Sequence, residues 1–103
     1  MLITIVFKSL ILRDSSCEFG KRGKGDGELN IPTGISTDSD DTVYVAEARN
    51  HRVSVFTHEG KFLTSFGSEG DGPGQFSYPH RITADMNGII YVADTSNNRI
   101  QIF

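Results

Sequence analysis

The sequence predicts an all-β chain built from repeated four-stranded antiparallel units, and three observations predict it. First, residues 19–56 and 66–103 superpose without a gap, 47 residues apart. Matching pairs include Phe19/Phe66, Gly20/Gly67, Pro32/Pro79, Asp38/Asp85, Tyr44/Tyr91, Asn50/Asn97, Arg52/Arg99 and Phe56/Phe103. A fixed period of this length marks a repeat architecture. Second, each copy alternates short apolar, β-branched runs with turn residues. Third, no apolar period near 3.6 residues is visible, which excludes a helical solenoid.

The elements follow in order. Thr4, Ile5, Val6 and Phe7 are β-formers and predict a strand over 3–7, with a second over 10–13. The first full unit begins with a strand over 31–38, ending at the acidic turn Asp38-Ser39-Asp40-Asp41. A second strand covers 42–46. A third covers 51–56, with Val53 and Val55 on one face at period two. Glu59-Gly60 makes a tight turn into a fourth strand over 61–66. A glycine-rich loop leads to Pro79, and the scheme repeats: 82–85, a turn at Asn87-Gly88, 89–93, then 99–103. Four antiparallel strands at this period describe a β-propeller blade. A β-sandwich also has many short strands but gives no reason for two gapless copies. The chain therefore divides into 1–18, strands completing a preceding blade; 19–65, a first repeat; and 66–103, a second repeat without its last strand.

Composition limits the function classes. The 103 residues are 37% hydrophobic and 22% charged, ordinary for a globular chain. The net charge of −3 argues against a surface-wide electrostatic grip on nucleic acid, though not against a local basic patch. Cys17 is the single cysteine, so no internal disulfide or thiolate zinc site can form, and a cytoplasmic setting is expected. The apolar N-terminal stretch 1–12, broken by Lys8, falls short of the roughly 20 residues of a membrane-spanning helix and lacks signal-peptide features, so no membrane partner is expected.

At this point a family is recognisable. The string Phe66-Gly67-x-x-Gly70-x-Gly72-x-Gly74-Gln75-Phe76, then Pro79, then Tyr91-Val92-Ala93-Asp94-x-x-Asn97-Asn98-Arg99-Ile100 closely resembles the NHL repeat. The first copy matches with Glu47 and His51 where the second has Asp94 and Asn98. The resemblance implies a six-bladed ring, of which this chain holds about two blades. It also implies the company of tripartite-motif ubiquitin ligases, in which the propeller recognises RNA or protein at the end of a longer chain. The RING and B-box zinc domains of such ligases cannot be built from one cysteine, so a ligase role would rest on another segment. Strands ordered third-fourth, first to fourth, then first to third predict either remaining blades from a longer chain or a homo-oligomer closing the ring.

Identity between copies reads as architecture. Gly20, Gly67, Pro32, Pro79, Asp38, Asp85, Arg52 and Arg99 are expected to build the blade, the arginines reaching acidic or carbonyl acceptors with Asp38 and Asp85 as partners. Phe56, Phe103, Tyr44 and Tyr91 are expected in the core between blades. Differences between copies are where ligand specificity should sit. The inter-blade loop, the start of the first strand and the second-to-third connection share one rim. There the candidate ligand-binding residues are Lys21, Arg22, Lys24, Arg49, His80, Arg81 and Ser96, whose cations could meet phosphates and whose His80 and Arg81 could meet a base. Asp26, Glu28, Glu69 and Asp71 dilute that charge, and Asp38, Asp40, Asp41 and Glu59 fall on the opposite rim. No catalytic constellation, cofactor motif or metal-ligand spacing emerges. Channel positions Ile35, Thr37, Ile82 and Ala84 are a poor ligand set, with His80 the lone candidate near the channel mouth. The expectation is a non-enzymatic binding module for RNA or a protein. The alternatives are a purely protein-protein scaffold, and a fragment of a propeller lyase or hydrolase with a channel metal.

Overall fold

The computed structural model describes residues 3–8 and 14–103, with side chains from Phe19 onward. Its strands are β1 (Ile3–Lys8), β2 (Asp14–Phe19), β3 (Pro32–Thr37), β4 (Val43–Glu47), β5 (Arg52–Phe56), β6 (Phe62–Phe66), β7 (Ser68–Glu69), β8 (Gln75–Phe76), β9 (Pro79–Ala84), β10 (Ile90–Asp94) and β11 (Arg99–Ile102), with one 3-10 turn at Thr95–Asn97. No helix among the described residues is long and apolar enough to cross a membrane. β1 pairs antiparallel with β2, Ile3 opposite Phe19 and Lys8 opposite Asp14. The strand expected over 10–13 lies outside the described residues.

β3-β4-β5-β6 form one four-stranded antiparallel sheet, and β9-β10-β11 form a three-stranded sheet in the same order. This is an all-β, partial β-propeller arrangement of blade upon blade. Several strands are shorter than expected, and their limits have a backbone cause. Ile31, Asp41 and His51 have φ of 51°, 62° and 51°. A left-handed residue cannot continue a pleat, so β3, β4 and β5 each start beyond one. β9 reaches back to Pro79 because its left-handed residue is Tyr78, φ 51°.

The two blades meet face to face. Successive side chains of a strand point to opposite faces. Val53 and Val55 of β5 pack against Phe76, Ile90 and Val92, with Tyr44, Phe66, Ile82 and Ala84 at the margin. On the other side of the first blade, Leu29, Val43, Val45 and Phe56 form a second cluster with Phe19 and Phe62. Each fully buried side chain of this size contributes about 1.5–3 kcal/mol. The first strands of the two blades approach closely at Gly34, where a Cβ would stand 2.6 Å from the His80 carbonyl oxygen.

The aromatic pairs repeat as the sequence does. Phe19 and Phe56 rings lie 4.7 Å apart, and Phe66 and Phe103 rings 4.9 Å apart. Burial does not repeat fully. Phe56 is 1% exposed, but Phe103 is 41% exposed, so the expectation of a core position holds for Phe56 alone of these two. Ile100 and Ile102 are 62% and 64% exposed, although Val53 and Val55 at the equivalent positions are buried. The difference is packing: the outer face of β5 carries a second blade, whereas the same face of β11 is open.

Candidate ligand-binding rim

Each blade fixes its rim with a buried carboxylate at the end of its second strand. Glu47 stands directly across the ladder from Arg52, and Asp94 across from Arg99. Both carboxylates are fully buried. Arg52 Nε donates to Glu47 Oε2 at 2.8 Å, and Arg99 Nε to Asp94 Oδ2 at 2.8 Å. The carboxylates also accept hydrogen bonds from Asn50 and Asn97 side chains at 2.8 and 2.9 Å, and from Ser54 and Gln101. Burial pushes the Asp94 carboxyl up, but donation from the Ser77 N–H, Asn97, Arg99 and Gln101 outweighs it and holds the group below its ordinary 3.8.

The arginines then reach across to the glycine-rich loop. Arg52 donates to the carbonyls of Lys24, Gly25 and Glu28 at 2.8, 3.0 and 2.8 Å. Arg99 donates to those of Asp71, Gly72 and Gln75 at 2.9, 2.8 and 2.9 Å. A planar guanidinium with five donors suits this gathering of carbonyls; an ammonium would not span it.

The expected pairing of these arginines with Asp38 and Asp85 is corrected. Both aspartates lie at the opposite end of the blade, where they close the turn between first and second strands. Asp38 Oδ1 accepts from the N–H groups of Asp40 and Thr42, and Oδ2 from the Tyr44 hydroxyl at 2.8 Å. Asp85 does the same with Asn87, Ile89 and Tyr91. Burial, then the bond to Asp38, raises the Tyr44 phenol to about 12. The true acidic partners occupy positions where the copies differ in residue but not in charge. That shared charge was the available signal.

The seven rim candidates are all exposed, and they do not form one patch. Arg22 and Arg49 line a single cleft with Leu29, Asn30 and Ile31. Lys21 and Lys24 lie on the same loop, and Lys21 Nζ stands 3.5 Å from Glu28 Oε2. Glu28 also accepts from the Gly25 N–H at 2.9 Å, so it is a brace of the loop as much as a diluting charge. That backbone bond, against some burial, lowers its carboxyl. Arg81 sits elsewhere, lining a larger groove of about 580 Å³ with Thr33, Gly34, Tyr91, Ala93 and Ile100 on the open face of the second blade. His80 begins the exposed edge of β9, and Ser96 lies in the 3-10 turn, its N–H donating to Ser77 O at 3.0 Å. Among the described residues, no three His, Cys, Asp or Glu side chains gather as a metal site would need.

Blade order, paired hubs and loop capture agree with a comparison against known families: a model described as a 6-bladed beta-propeller matches residues 20–103. The chain belongs to the six-bladed β-propeller family. Individual relatives of this propeller chain are NHL-repeat proteins. It is 48% identical over 46 residues to Protein lin-41 of Caenorhabditis elegans, covering 45% of this chain and 4% of that protein. It is 49% identical over 45 residues to RING finger protein nhl-1 of the same organism, covering 44% and 5%. It is 35% identical over 46 residues to Protein brain tumor of Drosophila melanogaster, covering 45% and 4%. The matched stretch thus equals about one repeat and spans only a twentieth or so of those relatives' length.

Proposed function

We propose that this propeller segment is a non-enzymatic recognition module that binds single-stranded RNA through its loop-rich rim. One observation carries the reading: in a chain of net charge −3, four cations (Lys21, Arg22, Lys24 and Arg49) crowd the rim of the first blade, and neither Arg22 nor Arg49 has a side-chain partner among the described residues. Unpaired guanidinium groups on a rigid scaffold suit phosphate oxygens. Folding has already fixed the loop beneath them, because Arg52 holds three of its carbonyls. In a longer chain that also carries a RING domain, this rim would be the substrate-recognising end.

The test is binding of a labelled single-stranded RNA at several salt concentrations. Affinity should fall as salt rises, with a log-log slope of about −0.7 for each phosphate contacted. Reversing Arg49 to glutamate should flatten that slope. Salt-independent binding, or none at low salt, would reject RNA and leave a protein partner as the reading.

A further inference from the structure

The two repeats share one backbone and differ at the cleft beside Arg22. The lining residues Arg22, Leu29, Asn30, Ile31 and Arg49 correspond, 47 residues on, to Glu69, Phe76, Ser77, Tyr78 and Ser96. The backbone frame is the same in both. Gly23 N–H donates to Leu29 O at 3.0 Å, and Gly70 N–H to Phe76 O at 3.0 Å. Ile31 and Tyr78 both have φ of 51°. The frame is therefore architecture, and the side chains set on it are free to differ.

In the second blade Glu69 and Tyr78 are engaged internally. Glu69 Oε2 stands 3.5 Å from His51 Nε2. The Tyr78 ring meets the His51 ring edge-on at 4.6 Å, and the Tyr78 N–H donates to His51 Nδ1 at 3.0 Å. In the first blade Arg22, Asn30 and Arg49 have no such engagement, while Leu29 is buried in the core. Both guanidinium groups and the Asn30 side-chain amide lack partners among the described residues, and the cleft holds about 310 Å³. Ile31, 36% exposed, is part of its lining.

We propose that this cleft binds one nucleotide, its phosphate held between Arg22 and Arg49 and its base lying on Ile31 within reach of the Asn30 amide. The inference rests on the RNA reading above and deepens it: contact is made nucleotide-specifically at the first blade, and not at the equivalent place in the second. The required chemistry is an anion joined to a flat, weakly polar surface, which a nucleotide supplies and a bare phosphate does not.

The probe is AMP, compared with inorganic phosphate and with a short single-stranded RNA, followed through the Ile31 methyl resonance. The variant is Arg22→Glu with Arg49→Ser, which installs the residues the second blade already carries on this frame. AMP should shift the Ile31 methyl and bind more tightly than phosphate, and the double variant should weaken AMP by about tenfold or more. An unmoved methyl, phosphate binding as tightly as AMP, or unchanged AMP affinity in the variant would overturn the proposal. RNA bound equally by both proteins would overturn the cleft while leaving the RNA reading intact. AMP bound in the cleft with no RNA binding would do the reverse.

Discussion

Arg99 shows how much one side chain organises. It ties the buried Asp94 to three loop carbonyls, so it joins strand, loop and rim in a single contact set. Removing one partner of a buried ion pair leaves the other charged, buried and short of donors, which typically costs about 3–5 kcal/mol. Arg99→Ala should therefore lower the melting temperature sharply, and Arg99→Lys should recover little, since an ammonium reaches only part of the set. Denaturant melts of the two variants decide it. An Arg99→Ala protein that melts normally but loses ligand would assign the arginine to binding. Residue identity between copies pointed to these arginines, but not to their partners. Asp38 and Asp85 are as repetitive as the arginines, yet they sit at the other end of each blade. Only the ladder register, Glu47 opposite Arg52 and Asp94 opposite Arg99, decides between acids.

At the scale of elements, strand order and spacing were legible because a 47-residue period leaves few places for turns. Strand ends were less so. Their limits depend on left-handed residues such as Ile31 and Tyr78, a β-branched and a bulky side chain that propensity would not place there. The cleft was half legible: Arg22 and Arg49 stand out by their difference from Glu69 and Ser96, while Ile31 and Asn30 join them only through the fold of the loop. Arg81 belongs to another surface because alternate residues of a first strand face opposite blades. The same alternation explains Gly34. Its counterpart is Arg81, which is tolerated because it faces the open side, whereas Gly34 faces backbone at contact distance. Gly34→Val would press against the His80 carbonyl and the Arg81 Cα, neither of which can swing aside. The two sheets must part, at a cost of about 1–3 kcal/mol. Thermal melts of this variant should show that loss. A melt equal to the parent's would mean that the blades slide apart without penalty.

Over the whole molecule, the packing rule repeats but its last application is open. The face formed by Val53 and Val55 is covered by Phe76, Ile90 and Val92 of the next blade. Ile100, Ile102 and Phe103 present the same pattern 47 residues on and remain exposed, beside β11, an edge strand with one side unpaired among the described residues. An apolar face next to a free strand edge is a template for pairing with another β-chain. In a solution of this 103-residue chain, the available partner is a second copy, and a contact of this kind is head-to-tail, since the surface that covers differs from the surface covered. Three copies in such a ring would supply the six blades of the family. Sedimentation across a concentration series should show association, and Ile100→Lys with Ile102→Lys should weaken it while leaving the inter-blade core and its melt unchanged. A parent chain that stays monomeric throughout would show that this face does not recruit a copy of itself. Association that survives both lysines would move the contact to another surface.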